Sequence, residues 1–372
     1  SKYILMVKSE SAPKSPLEDV FVVDNDVHIE ETPGLMAKYF ESPYDDAVRS
    51  YEKSYRYRDT SGFMPGMKLG DIFRNSPASK HAKRPDLTNG ENTERELKKY
   101  HVDVGVLFGE NALKIPILQS VEYANAFASA YNDYLIDRFL DQSDALIGAI
   151  AVAPHDPHAA AEEIDRVANE KQMKAIFLPI GGLDRTYGHS TYRPIWEAAS
   201  EHSLPIAFHS VGVDFPEFPF NMHKLPYLTR HTLAHELSLV VNCMHIVNEG
   251  IPVLYPELKF VFLEAGLSWM PMTAYRLDRE YMQHREQAPL LEKRPSEYID
   301  EFYIGTHPIE VPENPAELAV LLDQVNGEET AVFATDIPHH DWDDAGAIQS
   351  MPISKEAKEK IWGLNAKKLY NI

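Results

Sequence analysis

The 372-residue sequence predicts a single α/β domain folded as a (β/α)8 TIM barrel with an insertion after its first strand. Two observations carry this expectation. Short apolar runs alternate with helical patterns from Val20 to the C-terminus, a βα rhythm that calls for a parallel sheet. Eight such runs can be counted, and three of them, far apart in the chain, end on Asp26, His209 and Asp336. Strands that stop on a carboxylate or an imidazole aim those groups at a common rim, where barrels carry their active sites.

The first strand is expected at 20–26 and the second at 102–108, where Asp103 and Gly105 interrupt the apolar positions. A helix at 120–140 follows, with Val121, Ala124, Phe127, Ala128, Tyr131 and Leu135 at helical spacing. The third strand, 145–153, is stopped by Pro154, and its helix begins near His158. The fourth, 175–179, is stopped by Gly181-Gly182; its helix, 194–202, has Pro194 in the first turn, where a missing N–H costs nothing. The fifth strand is 205–209, followed by a helix at 232–248 that Gly250 ends. The sixth and seventh pairs are 260–264 with 269–283, and 302–305 with 315–325. The eighth strand is 332–336, and an amphipathic helix at 355–369 closes the barrel from outside.

Two segments break the rhythm. Residues 33–95, rich in charges and carrying Tyr39, Tyr44, Tyr51, Tyr55 and Tyr57, read as a lid over the site. Residues 210–230, with Phe215-Pro216-Glu217-Phe218-Pro219-Phe220, read as a loop that walls a pocket or makes a subunit contact. No repeat or low-complexity linker divides the chain, so 1–372 is expected to be one domain.

A net charge of −21 argues against nucleic acid or an anionic membrane as partner, because both repel a polyanion. The single cysteine, Cys243, excludes an internal disulfide framework and Cys-based zinc ribbons; its apolar surroundings suggest a structural thiol. No run approaches a membrane span, and the apolar core of Ser1–Val7 is too short for a secretory signal, so the cytoplasm is the expected location.

Asp26 and His28 are two residues apart, so in a strand they point to the same side and can chelate one cation. Glu31, in preference to Glu30, can join them if the chain turns. His209 adds an imidazole from the fifth strand. His231 and His235 are four apart on one helical face, and His235 is favoured because Ala234 and Leu237 suggest an inward-packing helix. Asp336 can bind a metal and accept a proton; with His209 it forms the expected catalytic pair. Glu264, Trp269, His339 and His340 are candidate substrate contacts. Imidazole and carboxylate without thiolate suit zinc, manganese or iron. Six candidate ligands, Asp26, His28, Glu31, His209, His235 and Asp336, exceed the needs of one ion and leave a site for two open.

From about Val22 to the C-terminus the chain resembles the amidohydrolase-related family that includes aminocarboxymuconate-semialdehyde decarboxylase. The carriers are Asp26-Val27-His28, the strand histidine His209, Phe262–Pro271 followed by Arg276-Leu277-Asp278, Asp336-Ile337-Pro338-His339, and the tail Gly363-Leu364-Asn365-Ala366 with Leu369-Tyr370. Asp26 stands where many relatives have histidine, Glu264 stands where the decarboxylase is expected to show one, and the fourth strand has no lysine for a bridging carbamate. The resemblance implies a metal-dependent enzyme that hydrolyses or non-oxidatively decarboxylates a small carboxylated compound. A dinuclear, oxygen-activating monooxygenase component acting on a small amino acid or carboxylate is the competing expectation; a non-catalytic structural subunit is the third. The acidic, aromatic insertions point to a homo- or hetero-oligomer.

Overall fold

The computed structural model describes residues 17–54, 85–211 and 225–372. Eight strands form one sheet in sequence order: β1 Val23–Ile29, β2 Val104–Gly109, β3 Leu146–Ala151, β4 Met173–Pro179, β5 Ile206–His209, β6 Phe260–Leu263, β7 Tyr303–Gly305 and β8 Ala331–Val332. Every neighbouring pair is parallel. The sheet closes into a barrel because β1 bonds to the chain leaving β8: Asn25 N–H donates to Phe333 O (2.9 Å), Asp336 N–H to Asp26 O (3.0 Å) and His28 N–H to Ile337 O (2.8 Å). The strands are buried on both faces, which is why their sequences read as continuous apolar runs.

Two strand boundaries differ from expectation in a way that shapes the site. β1 extends to Ile29, so Asp26 and His28 lie inside it rather than at its end. A bulge permits this: the register passes from Asp24 opposite Gly105 to Val27 opposite Leu107. Asn25 pins the bulge by donating to Val23 O (3.1 Å) and Phe333 O (2.8 Å). β8 is only two residues long, because beyond Val332 the backbone turns to other partners. Phe333 N–H donates to Ile361 O, and Thr335 N–H to the buried Asp24 carboxylate (3.0 Å).

The helices Val121–Arg138, Pro157–Val167, Arg193–Glu201, Trp269–Gln283 and Pro315–Gln324 match expectation to within two residues. The helix expected at 232–248 begins earlier, at Tyr227. The last helix is not continuous: Lys355–Glu359, a π turn at Lys360–Leu364, and Asn365–Tyr370 follow one another. The π turn frees Ile361 O for Phe333, and Asn365 donates to Ala331 O (2.8 Å), so this segment plugs the end of β8. Gly363 is required there, since a Cβ would lie 2.2 Å from Phe21 O.

Of the expected lid, helices at Pro33–Met36 and Tyr44–Ser54 are seen, while residues 55–84 lie outside the described residues. So do the aromatic run 215–220 and the start of the chain. The helix Gly90–Lys98 is the crossover from β1 to β2: Leu97 is buried, and its Cδ1 would meet a Cβ on Gly105 at 2.5 Å. Among the described residues no helix is long and apolar enough to cross a membrane. Cys243 is buried, and burial pushes its thiol up, as suits a structural thiol.

Glu31 is a latch between β1 and the loop after β2. Its carboxylate accepts from Asn111 N–H (2.9 Å) and Ala112 N–H (2.9 Å). Glu31→Ala should leave these donors unpaired and cost about 2–4 kcal/mol, read as a lower denaturant midpoint; an unchanged midpoint would show that the latch contributes nothing.

Candidate metal centre

Four side chains from both ends and the middle of the chain meet inside the barrel rim. Asp26 Oδ1 lies 3.1 Å from His28 Nε2 and 3.0 Å from His209 Nε2. His28 Nε2 lies 3.0 Å from Asp336 Oδ1. All four residues are buried. β1 supplies two of them through the same-side alternation of a strand, β5 ends on the third, and the turn after β8 supplies the fourth. Asp336 adopts the left-handed backbone region (φ 67°), as does Glu264 after β6 (φ 67°); both chains turn sharply out of the barrel there.

The donor atoms fit a divalent cation. Bonds of about 2.0–2.2 Å to N and O ligands imply ligand-to-ligand edges of roughly 3.0–3.5 Å. The observed spacings fall in that range. Asp26 Oδ2 and both ring nitrogens of His28 are buried with no well-formed hydrogen bond among the described residues. His209 Nδ1 lies 2.6 Å from Ser210 O, which engages that nitrogen and leaves Nε2 facing Asp26 at the centre. Asp26, His28 and His209 therefore form a ready set of three ligand atoms, with Asp336 against His28 as a fourth.

Electrostatics agree. Burial works against a charged His28, as does His339, yet the carboxylates of Asp26 and Asp336 push it up to about 10. Burial would raise Asp26, but the His209 and His28 imidazoles hold it well below the usual range. Asp336 is held low in the same way by His339 and His307.

The other expected residues divide. His339 belongs: its Nδ1 is 2.7 Å from Asp336 Oδ1, its Nε2 2.8 Å from Glu110 Oε2, and its ring stacks on His28 at 4.3 Å. Glu264 lies behind the centre, 3.3 Å from His209 Nδ1 and 3.6 Å from His235 Nδ1. His235 is thus one layer out, within 2.7 Å of Ser210 Oγ, rather than among the four donors. His231 and His340 lie beside Asp341, at 3.6 and 3.3 Å. Burial, then His235, pushes His231 down to about 4. Two further expectations are corrected. Glu31 is not brought to the donor cluster, because its oxygens are engaged by the loop after β2. Trp269 is core: its indole N–H donates to Gly266 O (3.1 Å) and its ring packs on Phe262.

Several chemically active residues escaped the sequence analysis. Glu110 follows β2, and His307 follows β7 with Nε2 3.1 Å from Asp336 Oδ2. Both obey the same rule that singled out His209, a polar group just past an apolar run. The one or two small residues in between hid them. Asp24 lies within the apolar run and gave no such signal; it accepts from Thr335 Oγ1 (2.5 Å), and burial pushes it up to about 7.

A family model described as Amidohydrolase matches residues 80–372. The γ-resorcylate decarboxylase of Polaromonas sp. (strain JS666) is 22% identical over 333 residues, covering 84% of this chain and 94% of that protein. Among solved structures, 5-carboxyvanillate decarboxylase from Sphingomonas paucimobilis has a TM-score of 0.71 at 21% identity, covering 95% of this chain and 100% of the other. A dihydroxybenzoic acid decarboxylase from Polaromonas sp. JS666, solved with bound manganese and the inhibitor 2-nitroresorcinol, has a TM-score of 0.65 at 18% identity, covering 95% and 97%.

Because His28 holds its proton up to about pH 10 in the metal-free protein, a cation must expel that proton. Mn2+ affinity should therefore rise with pH below 10, by up to about tenfold per unit for each proton released. Calorimetry in buffers of different ionisation enthalpy should show net proton release on binding; proton-neutral binding at pH 7 would contradict this.

Proposed function

The chain belongs to the amidohydrolase family, and from that premise we propose that it is a metal-dependent lyase that removes the carboxylate of a small hydroxylated aromatic acid as carbon dioxide. The observation that carries this reading is the buried triad Asp26, His28 and His209, with Asp336 set against His28. The relatives named as decarboxylases of γ-resorcylate, dihydroxybenzoic acid and 5-carboxyvanillate support the substrate class.

Asp26, His28 and His209 would hold one divalent ion, manganese, zinc or iron by donor type, with Asp336 beside His28 as a fourth donor. When bound, the ion supplies a Lewis acid for acidic substrate oxygens. The protein's own residues handle the proton. When the carboxylate leaves as CO2, its bonding electrons stay on the ring carbon, which must take up H+. His339 is the reservoir: Asp336 and Glu110 flank its two nitrogens and, against burial, keep it charged well above the ordinary imidazole range. Asp336 positions that imidazolium. Glu264 fixes His209 from behind, and His235, which burial pushes down but the Glu264 carboxylate raises on balance, stands beside it as a partner for the substrate carboxylate. In a chain of net −21, which repels anionic substrates at long range, the imidazoles of the site supply the local attraction.

Hydrolysis is the second reading. Asp336 is held deprotonated, so it is also placed to accept a proton from an attacking water.

Manganese-loaded protein should release CO2 from 2,6-dihydroxybenzoate or 5-carboxyvanillate, lose that activity in chelator and regain it with Mn2+. Asp336→Asn should lower kcat by about 10²–10⁴-fold. Metal-replete protein that releases no CO2 from hydroxylated benzoates, yet cleaves esters or amides, would replace the first reading by the second.

His339→Gln should remove the reservoir while leaving the four donors in place. Its kcat should fall by at least about 10²-fold with Mn2+ uptake unchanged; equal loss of uptake and turnover would show that His339 is a ligand instead.

A further inference from the structure

We propose that a pocket of about 350 Å³ on the outer face of the barrel wall, between the helices Pro33–Met36, Tyr44–Ser54 and Val121–Arg138, binds a small aromatic monocarboxylate at a site separate from the metal centre.

Strand alternation puts the donors and this pocket on opposite sides of β2. Phe108 faces the donors: its ring lies 6.4 Å from that of His28 and 5.4 Å from that of His209. Gly109 faces the other way, where a Cβ would lie 2.2 Å from Glu31 Oε1 and 2.4 Å from the Tyr131 ring. Glu31 lines the pocket, whereas Asp26, His28, His209 and Asp336 do not.

Most of the wall is apolar. Met36 and Val48 are buried, and Phe40, Tyr123 and Phe127 add three rings. The rings brace one another: Phe40 stacks on Tyr123 at 6.1 Å and meets Phe127 edge-on at 6.0 Å. Rings held in this way do not collapse into the space beside them, and an unfilled apolar space forfeits dispersion contacts that a ligand would restore. The volume falls within the roughly 300–1,000 Å³ of small-molecule sites, and the mixture of apolar wall and few polar groups is theirs as well. A flat ring suits these walls, because aromatic faces and edges pack on one another in stacked or T-shaped pairs.

Charge selects the rest of the ligand. Glu31 is engaged by the N–H groups of Asn111 and Ala112, and burial pushes it up to about 7, which weakens its negative charge in the pocket. Lys114 is exposed and forms no side-chain hydrogen bond or ion pair among the described residues, although its charge reaches Glu110. A cation at the edge of an aromatic pocket, in a chain of net −21, is matched by a ring that carries one carboxylate. Asn111 also lines the pocket and directly follows Glu110, so an occupant bears on the loop that holds His339.

The rival account is a packing gap that takes up any apolar solute or none. Calorimetry and fluorescence titration of the metal-stripped full chain with 2-naphthoate separate the two, since without an ion the metal centre does not recruit the probe. The wild type should bind one equivalent. Ala47→Phe, which fills the pocket from an exposed position, should weaken binding at least about tenfold. Lys114→Met should weaken it about fivefold, the upper end for an exposed ion pair. The uncharged 2-naphthamide should bind the wild type about fivefold more weakly than 2-naphthoate and lose nothing further on Lys114→Met. Both substituted residues are exposed, so the variants should keep the wild-type circular dichroism. No uptake of 2-naphthoate, uptake that Ala47→Phe leaves unchanged, or equal affinity for the amide and the carboxylate would each overturn this site and leave the proposed decarboxylation untouched.

Discussion

Closure of the barrel between β1 and the turn after β8 is the constraint on which the site depends. Three backbone hydrogen bonds tie Asn25, Asp26 and His28 to Phe333, Asp336 and Ile337. They place a carboxylate from near one end of the chain against a ligand pair from near the other. Closing so long a loop is costly in entropy, and the buried Asp24 carboxylate helps to secure it. Asp24 accepts from Asp26 N–H, Thr335 N–H and the Thr335 hydroxyl, so β1 and the β8 turn share one acceptor. That network over-determines Asp336, whose left-handed backbone would otherwise relax.

Buried charge governs the rest. Asp26 and Asp336 would be expensive to bury alone, and Glu110 is half-buried beside them; the imidazoles of His28, His209, His307 and His339 offset all three. Three of these imidazoles have their outer nitrogen committed: His209 to Ser210 O, His307 to Asp343 and His339 to Glu110. His28 alone has neither nitrogen in a well-formed hydrogen bond among the described residues, and it stands at the middle of the cluster, against both Asp26 and Asp336. A cation there would take over the neutralising role that protons fill in its absence.

Cavity size is a poor guide to this chemistry. A cleft of about 820 Å³ lies among the segments that lead into β6, β7 and β8, lined by Lys259, Glu301, Asn326 and Lys368. That is the opposite end of the barrel from the donor cluster, the end associated with stability rather than catalysis. What marks the other end is the cluster of buried carboxylates and imidazoles, where Asp26 Oδ2 and both His28 nitrogens have no well-formed hydrogen bond among the described residues.

The sequence by itself determined the eight-strand order, most helix positions, and Asp26, His28, His209 and Asp336 as convergent groups. Each was legible because periodicity and the polar residue closing an apolar run are local properties. Only the tertiary structure decided that Glu31 latches a loop, that Trp269 is core, and that His307 and Glu110 join the cluster. It also decided that β1 runs on through a bulge and that the last helix breaks into a π turn. These depend on which distant backbone group offers a hydrogen-bond partner. That choice is made by barrel closure, and no window of local sequence contains it.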